Sequence, residues 1–232
     1  MTTIQKQHKF SRLEKLIGSD NLNNINAKSV LILGVGGVGG YVAEALARSN
    51  IGQLILVDGD IVDISNINRQ IIALTSTVGK KKVDVLEARI KDINNDCKII
   101  KIDKFIDKDN INILFNYKID FLVDACDTVT TKKEVIVKCL DKNIEFISSM
   151  GTGNRLDPSK LEITDIRKTI NDPLARIIRK FIKDEKINKK VMVLSSKELP
   201  IKTGERTPGS SSFVPGSAGL LIASYIIRKF MN

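Results

Sequence analysis

The sequence predicts an α/β fold: a doubly wound, mostly parallel sheet with helices on both faces. Three observations predict it. Short apolar runs such as SVLIL and QLILV lack the polar alternation of a half-exposed strand, so they read as strands covered on both sides. Segments of helical period separate them. A glycine-rich turn, LGVGGVGG, leads from one such strand straight into a helix. With 232 residues, 42% of them hydrophobic, the chain can build one sizeable core, and we expect a single domain over residues 1–232.

Taken in order, SVLILG (29–34) is the first strand and VGGYVAEALARSN (38–50) its helix. QLILVD (53–58) is the second strand. GKKKVDVLEARIKDIN (79–94) is a charged helix with Val83, Leu86 and Ile90 on one face. CKIIKID (97–103) and DFLVDAC (120–126) are strands, and TKKEVIVKCLDKN (131–143) is a helix before the strand IEFISSM (144–150). Beyond Met150 the pattern changes. NRLDPSKLEITDI predicts two short strands about a turn at Asp157-Pro158, and DPLARIIRKFIKDEK a helix with Pro173 at its start. VMVLSS is a further strand. Residues 197–212, rich in Gly, Pro, Ser and charge, read as a mobile loop, and GSAGLLIASYIIRKFMN as an apolar helix. The sheet is thus Rossmann-like, with an N-terminal helical arm and a C-terminal strand, loop and helix extension.

Composition excludes several classes. No run approaches the ~20 apolar residues of a membrane span, so no membrane insertion is expected. The N-terminus MTTIQKQHKFSRLEKL has no apolar signal core, which favours the cytoplasm. Three cysteines, Cys97, Cys126 and Cys139, form no CxxC pair and no disulfide frame. The formal charge of +10 suits a polyanionic partner such as RNA, or reflects a Lys- and Asn-rich composition.

Gly34, Gly36 and Gly39 fit G-x-G-x-x-G, with Gly37 in the same turn, and bring backbone N–H groups to a phosphate at a helix N-terminus. Asp58 closes the next strand about 20 residues on, where a carboxylate can hold ribose hydroxyls. This much serves NAD or ATP alike. The stretch LVDGDIVDISNINRQ adds Asp60, Asn66, Arg69 and Gln70. A nicotinamide site needs no second carboxylate and cation there, whereas a triphosphate needs cations and a metal ion. Arg69 offers a planar fork and Lys82 a point charge. Asp127, just beyond the fourth strand, is placed to hold Mg²⁺. The bland readings are a turn cap for Asp60, a helix cap for Asp127, and surface charge for Arg69 and Lys82.

Together GVGGVGG, LVDGDIVDISNINRQ, VGKKK and DACDT resemble the ubiquitin-activating-enzyme-like superfamily, the ThiF and MoeB adenylating group. The resemblance covers nearly the whole chain. It implies ATP-dependent adenylation of a carboxylate within a homodimer. Carried over by position, Asp58 binds ribose, Asn66, Arg69 and Lys82 hold phosphates, and Asp127 holds magnesium. Arg12, in KFSR, matches an arginine donated to the partner's ATP. It is otherwise an ordinary helix arginine.

SSMGTGNRLDPSKLEITDIRKTINDPLARIIRK and VLSSKELP are similar to the tRNA threonylcarbamoyladenosine dehydratase branch, whose members cyclise that group at position 37 of tRNA. The missing zinc cysteines agree with this branch. So does the loop 197–212, which has no cysteine for a thioester. Cyclisation needs no protein nucleophile, because a nitrogen of the activated side chain can close the ring intramolecularly. A monovalent cation (K⁺ or Na⁺) and a sulfur-transfer protein partner are left open. The candidate tRNA surface is the basic segment 167–190, with Lys197, Lys202 and Arg206; a plain solvated helix face is the alternative. Three other functions stay in play: an adenylyltransferase for a ubiquitin-like sulfur carrier, an NAD-dependent oxidoreductase, and a nucleotide-sensing RNA-binding module.

Overall fold

The computed structural model describes residues 7–205 and 207–231. Arg206 therefore lies outside the described residues. The strands are β1 (Ser29–Leu33), β2 (Gln53–Val57), β3 (Lys98–Ile102), β4 (Phe121–Asp124), β5 (Phe146–Ser149), β6 (Leu161–Asp165) and β7 (Met192–Ser196). The helices are α1 (Ser11–Ile17), α2 (Ser19–Asn26), α3 (Gly39–Arg48), α4 (Lys82–Ile93), α5 (Val129–Asp141), α6 (Pro173–Asp184) and α7 (Phe213–Phe230). The strands form one sheet in the order β3-β2-β1-β4-β5-β7-β6. All neighbours pair in parallel except β6, which runs antiparallel to β7.

The apolar strand runs are explained by cover on both faces. In β1, Val30 and Ile32 point into a core shared with α3, α4 and α7, while Leu31 and Leu33 point into a second core shared with α5 and α6. A strand alternating polar and apolar residues would leave one of these helix layers without a partner. On α4, Val83, Leu86 and Ile90 are all buried, as their spacing predicts.

Two expectations are corrected. NRLDPSKLEITDI gives one strand, not two. The N–H groups of Leu156 and Asp157 each donate to the Glu198 carboxylate at 3.0 Å instead of to a ladder. Residues Pro158–Lys160 then make a 3₁₀ turn capped by Asp157. The C-terminal helix starts at Phe213, earlier than predicted, because Pro215 falls within its first turn, where a backbone N–H has no helical partner to lose.

The strand order reverses between β1 and β4. β1 leads to α3 on one face and β4 to α5 on the other, so a crevice opens beyond the carboxyl ends of β1, β2 and β4.

Candidate active site

A cleft of about 300 Å³ occupies that crevice, lined among others by Gly34, Gly36, Gly37, Asp58, Arg69 and Asp127. Asp60 and Lys82 also line it. Gly34 has φ +85°, and a Cβ there would lie 2.8 Å from the Ala125 carbonyl oxygen. The glycine lets β1 and the end of β4 close on each other under the cleft. Gly39 does not line the cleft. A Cβ at Gly39 would sit 1.9 Å from the Gly34 carbonyl oxygen, so its part is close packing of α3 onto the turn.

Asp58 ties the glycine turn to the end of β2. One carboxylate oxygen accepts the Val35 N–H at 2.8 Å and the other the Asp60 N–H at 2.9 Å. Burial raises the Asp58 pKa above its ordinary value, and the positive charge of Lys82 opposes this. Lys82, the first residue of α4, has a buried side chain whose Nζ donates to Asp60 at 2.7 Å. An ammonium carries three donors, so Lys82 can keep Asp60 and still meet a phosphate.

Arg69 reaches the cleft with its guanidinium held: Nη1 donates to the Ser65 carbonyl at 2.8 Å and to Asn68 Oδ1 at 3.0 Å. Asn66 is the exception among the expected phosphate ligands. It is buried outside the cleft lining, and its Oδ1 accepts the Asp63 N–H at 3.1 Å in a capping box that shapes the turn before Arg69. Gln70 lines the cleft against Gly36, and its buried Oε1 has no hydrogen-bond partner. Such an orphan in the wall of a cleft suits a ligand that completes it.

Asp127 is exposed at the mouth of the β4–α5 turn, where its carboxylate meets the Thr128 hydroxyl at 3.4 Å. It does not cap α5. Among the described residues no cluster of three or more His, Cys, Asp or Glu could hold a metal ion. A single exposed carboxylate does fit Mg²⁺, which takes its remaining ligands from phosphates and water. Beneath Asp127 lies a network absent from the sequence reading. Lys132 Nζ, fully buried, donates to both Asp124 oxygens at 3.1 Å, and the Ser148 hydroxyl meets Asp124 at 2.5 Å. The Asp124/Lys132 spacing, one residue at a strand end and one a turn into the next helix, was the available signal.

Cys126 lines the cleft, but burial and the adjacent Asp124 push its thiol pKa up, so it is no ready nucleophile. Burial likewise raises Cys97 to about 11 and Cys139 to about 12. Arg12, exposed on α1, does not line the cleft of its own chain.

The far wall comes from the second half. Thr152 and Ser210 line it. The loop bearing Thr152 is fastened where Asp172 accepts the Gly151 N–H at 3.1 Å and caps α6 through the Ala175 N–H at 2.9 Å. Buried Arg155 lies 3.6 Å from the same carboxylate. The phrase TDIRKTINDPLA thus contributes a structural anchor. Thr152 was readable from its place just beyond a strand end; Ser210 was not, because only folding brings its loop across.

The ThiF family matches residues 10–228. The tRNA threonylcarbamoyladenosine dehydratase of Bacillus subtilis (strain 168) is 41% identical over 242 residues, covering 97% of this chain and 95% of its own. The chain belongs to the ThiF family, in its tRNA threonylcarbamoyladenosine dehydratase branch. A solved dehydratase, that of E. coli in complex with ATP, matches with a TM-score of 0.91 at 33% identity, over 96% of this chain and 93% of that one. Outside the dehydratases the likeness is weaker. The sulfur carrier protein ThiS adenylyltransferase of Escherichia coli (strain K12) is 29% identical over 142 residues, 60% of this chain and 56% of its own.

Proposed function

We propose that the chain is an ATP-dependent enzyme that cyclises threonylcarbamoyladenosine at position 37 of tRNA. The observation that carries this is one cleft uniting the glycine turn, Asp58, Arg69, Lys82 and Asp127 at the reversal of the sheet, in a chain of this family. Asp58 accepts ribose hydroxyls, and Gly34, Gly36 and Gly37 let the backbone approach the phosphates. Asp127 would hold Mg²⁺, which supplies charge neutralisation to the phosphates when bound. Asn66 supports Arg69 from behind and is not proposed as a ligand.

A carboxylate oxygen of the threonyl group attacks the α-phosphorus, and the bond to pyrophosphate breaks. Arg69 and Lys82 stabilise the charge that develops. A nitrogen of the same side chain then attacks the acyl carbon and loses its proton, and AMP leaves with the carboxylate oxygen. The nucleoside is lighter by one water, whose oxygen leaves in AMP and whose hydrogens leave as protons. We further propose a homodimer in which Arg12 reaches the partner's cleft. Its exposure, and that of Leu16, Phe213 and Leu220, supports this reading.

The test is mass spectrometry of nucleosides from tRNA bearing threonylcarbamoyladenosine, incubated with protein and Mg·ATP. The expected result is ATP-dependent loss of one water, with the rate of Asp127→Ala lower by about 10²–10³. An unchanged nucleoside mass, with tRNA and ATP both bound, would shift the reading to a sulfur-carrier adenylyltransferase, which uses the same cleft on a protein carboxylate.

A further inference from the structure

Ser210, on the far wall of the cleft, is carried by a short strap, residues 208–212, fastened at two points. The first is Asn154, held at φ 57°. Its N–H donates to the Gly209 carbonyl at 2.7 Å, and its side-chain Oδ1 accepts the Gly209 N–H at 2.6 Å. The second is Asn68. Its Nδ2 donates to the Ser210 carbonyl at 2.9 Å while its Oδ1 accepts from Arg69 Nη1 at 3.0 Å. One carboxamide therefore joins the strap to the guanidinium proposed to grip phosphate. The chemistry needs an amide: an aspartate there could accept from Arg69 but could not donate to a carbonyl.

Two further observations point the same way. The buried side-chain atoms Gln70 Oε1 and Ser211 Oγ have no hydrogen-bond partner. Gln70 lies two residues after Asn68 and lines the cleft; Ser211 lies one residue after Ser210, behind the lining. The strap itself, PGSSS, is uncharged, and its Ser210 lines the cleft with Thr152, two hydroxyl residues and no carboxylate. Neutral hydroxyl groups in the same cleft as Arg69 and Lys82 suit a ligand that brings its own carboxylate and hydroxyl. They do not compete with the phosphates for the cations.

We propose that the space between this strap and Asp127 receives the carboxylate-bearing side chain of the modified nucleoside, and that Asn68 is a positioning residue locking this wall to Arg69. The nucleotide half and the acyl half of the site are then set together. The identity of the ligand rests on the dehydratase reading; the coupling does not.

The experiment compares wild type with Asn68→Ala and Asn68→Asp. Amide hydrogen exchange at Gly209 is followed with and without Mg²⁺ and α,β-methylene-ATP, and the KM for modified tRNA is measured with ATP. In wild type the nucleotide analogue should increase protection of Gly209, and in both variants that gain should vanish. The KM for tRNA should rise roughly three- to tenfold, the worth of one net hydrogen bond, with analogue affinity unchanged within about twofold. Asn68→Asp behaving as wild type would overturn the bridge. So would equal losses of analogue affinity and tRNA KM, which would mean mere support of Arg69. Wild type that shows the exchange effect but leaves the nucleoside unchanged would keep the coupling and overturn the assigned ligand.

Discussion

The Asp58 carboxyl serves backbone and proposed ribose at once, and its surroundings pull its proton affinity two ways. Burial raises its pKa and Lys82 lowers it, with burial dominant. A carboxyl whose folded pKa lies above its unfolded value of about 3.9 binds its proton more tightly when folded. Its stabilising contribution is therefore complete below the unfolded value and is lost as pH rises through the folded one. Once ionised, Asp58 costs stability and gains an acceptor. Replacing Lys82 by Met removes the opposing pull, so the folded pKa should rise further. The acid limb of ATP binding should move to higher pH, measured as ATP affinity from about pH 4 to 8. A limb that stays in place would show that Lys82 does not act on Asp58.

At the scale of elements, the β4–α5 junction carries Asp127 on a buried ion pair. Asp124 and Lys132 are both fully buried and 3.1 Å apart, and Lys132 also donates to the Ser149 carbonyl at 2.9 Å. Removing one partner strands the other charge out of water, at about 3–5 kcal/mol. For a domain of this size each kcal/mol moves Tm by about 2–4 °C. Lys132→Met should therefore lower Tm by roughly 10 °C in thermal denaturation. The double variant Lys132→Met/Asp124→Leu should recover much of that, because no unpaired charge remains. A double variant as unstable as the single would show that the hydrogen bonds, not the charges, hold the junction.

At the scale of the molecule, α6 sorts its residues by face. Ala175, Ile178 and Ile182 are buried, while Arg176, Lys180 and Lys183 form one exposed ridge. Not every residue of the basic segment is available: Arg179 turns in to Thr169, and Arg167 pairs with Asp165 at 3.1 Å. If the ridge meets tRNA phosphates, Ala at all three positions should reduce the slope of log K against log salt by up to about 3, counting just under one unit per phosphate contact. ATP affinity should not change. An unaltered slope would leave α6 as a solvated face.

The sequence alone determined the doubly wound sheet, because strands covered on both faces are largely apolar without alternation, as in Val30, Leu31, Ile32 and Leu33. It also determined where the cleft's near side lies, since the glycine turn, Asp58 and Asp127 all sit just beyond strand ends, where such sheets bind ligands. The residue types that mark these features lie within a few residues of one another along the chain. Tertiary structure decided the rest. Asn66 looks like a ligand in the stretch SNINRQ, yet it lies outside the cleft lining and its Oδ1 accepts the Asp63 N–H. Gly39 fits a phosphate motif, yet packs against the Gly34 carbonyl. The far wall exists only because Asn154 and Asn68 hold Gly209 and Ser210 across 55 and 142 residues of chain. Hydrogen bonds between residues so distant leave no period or spacing in the sequence, so only the folded chain shows them.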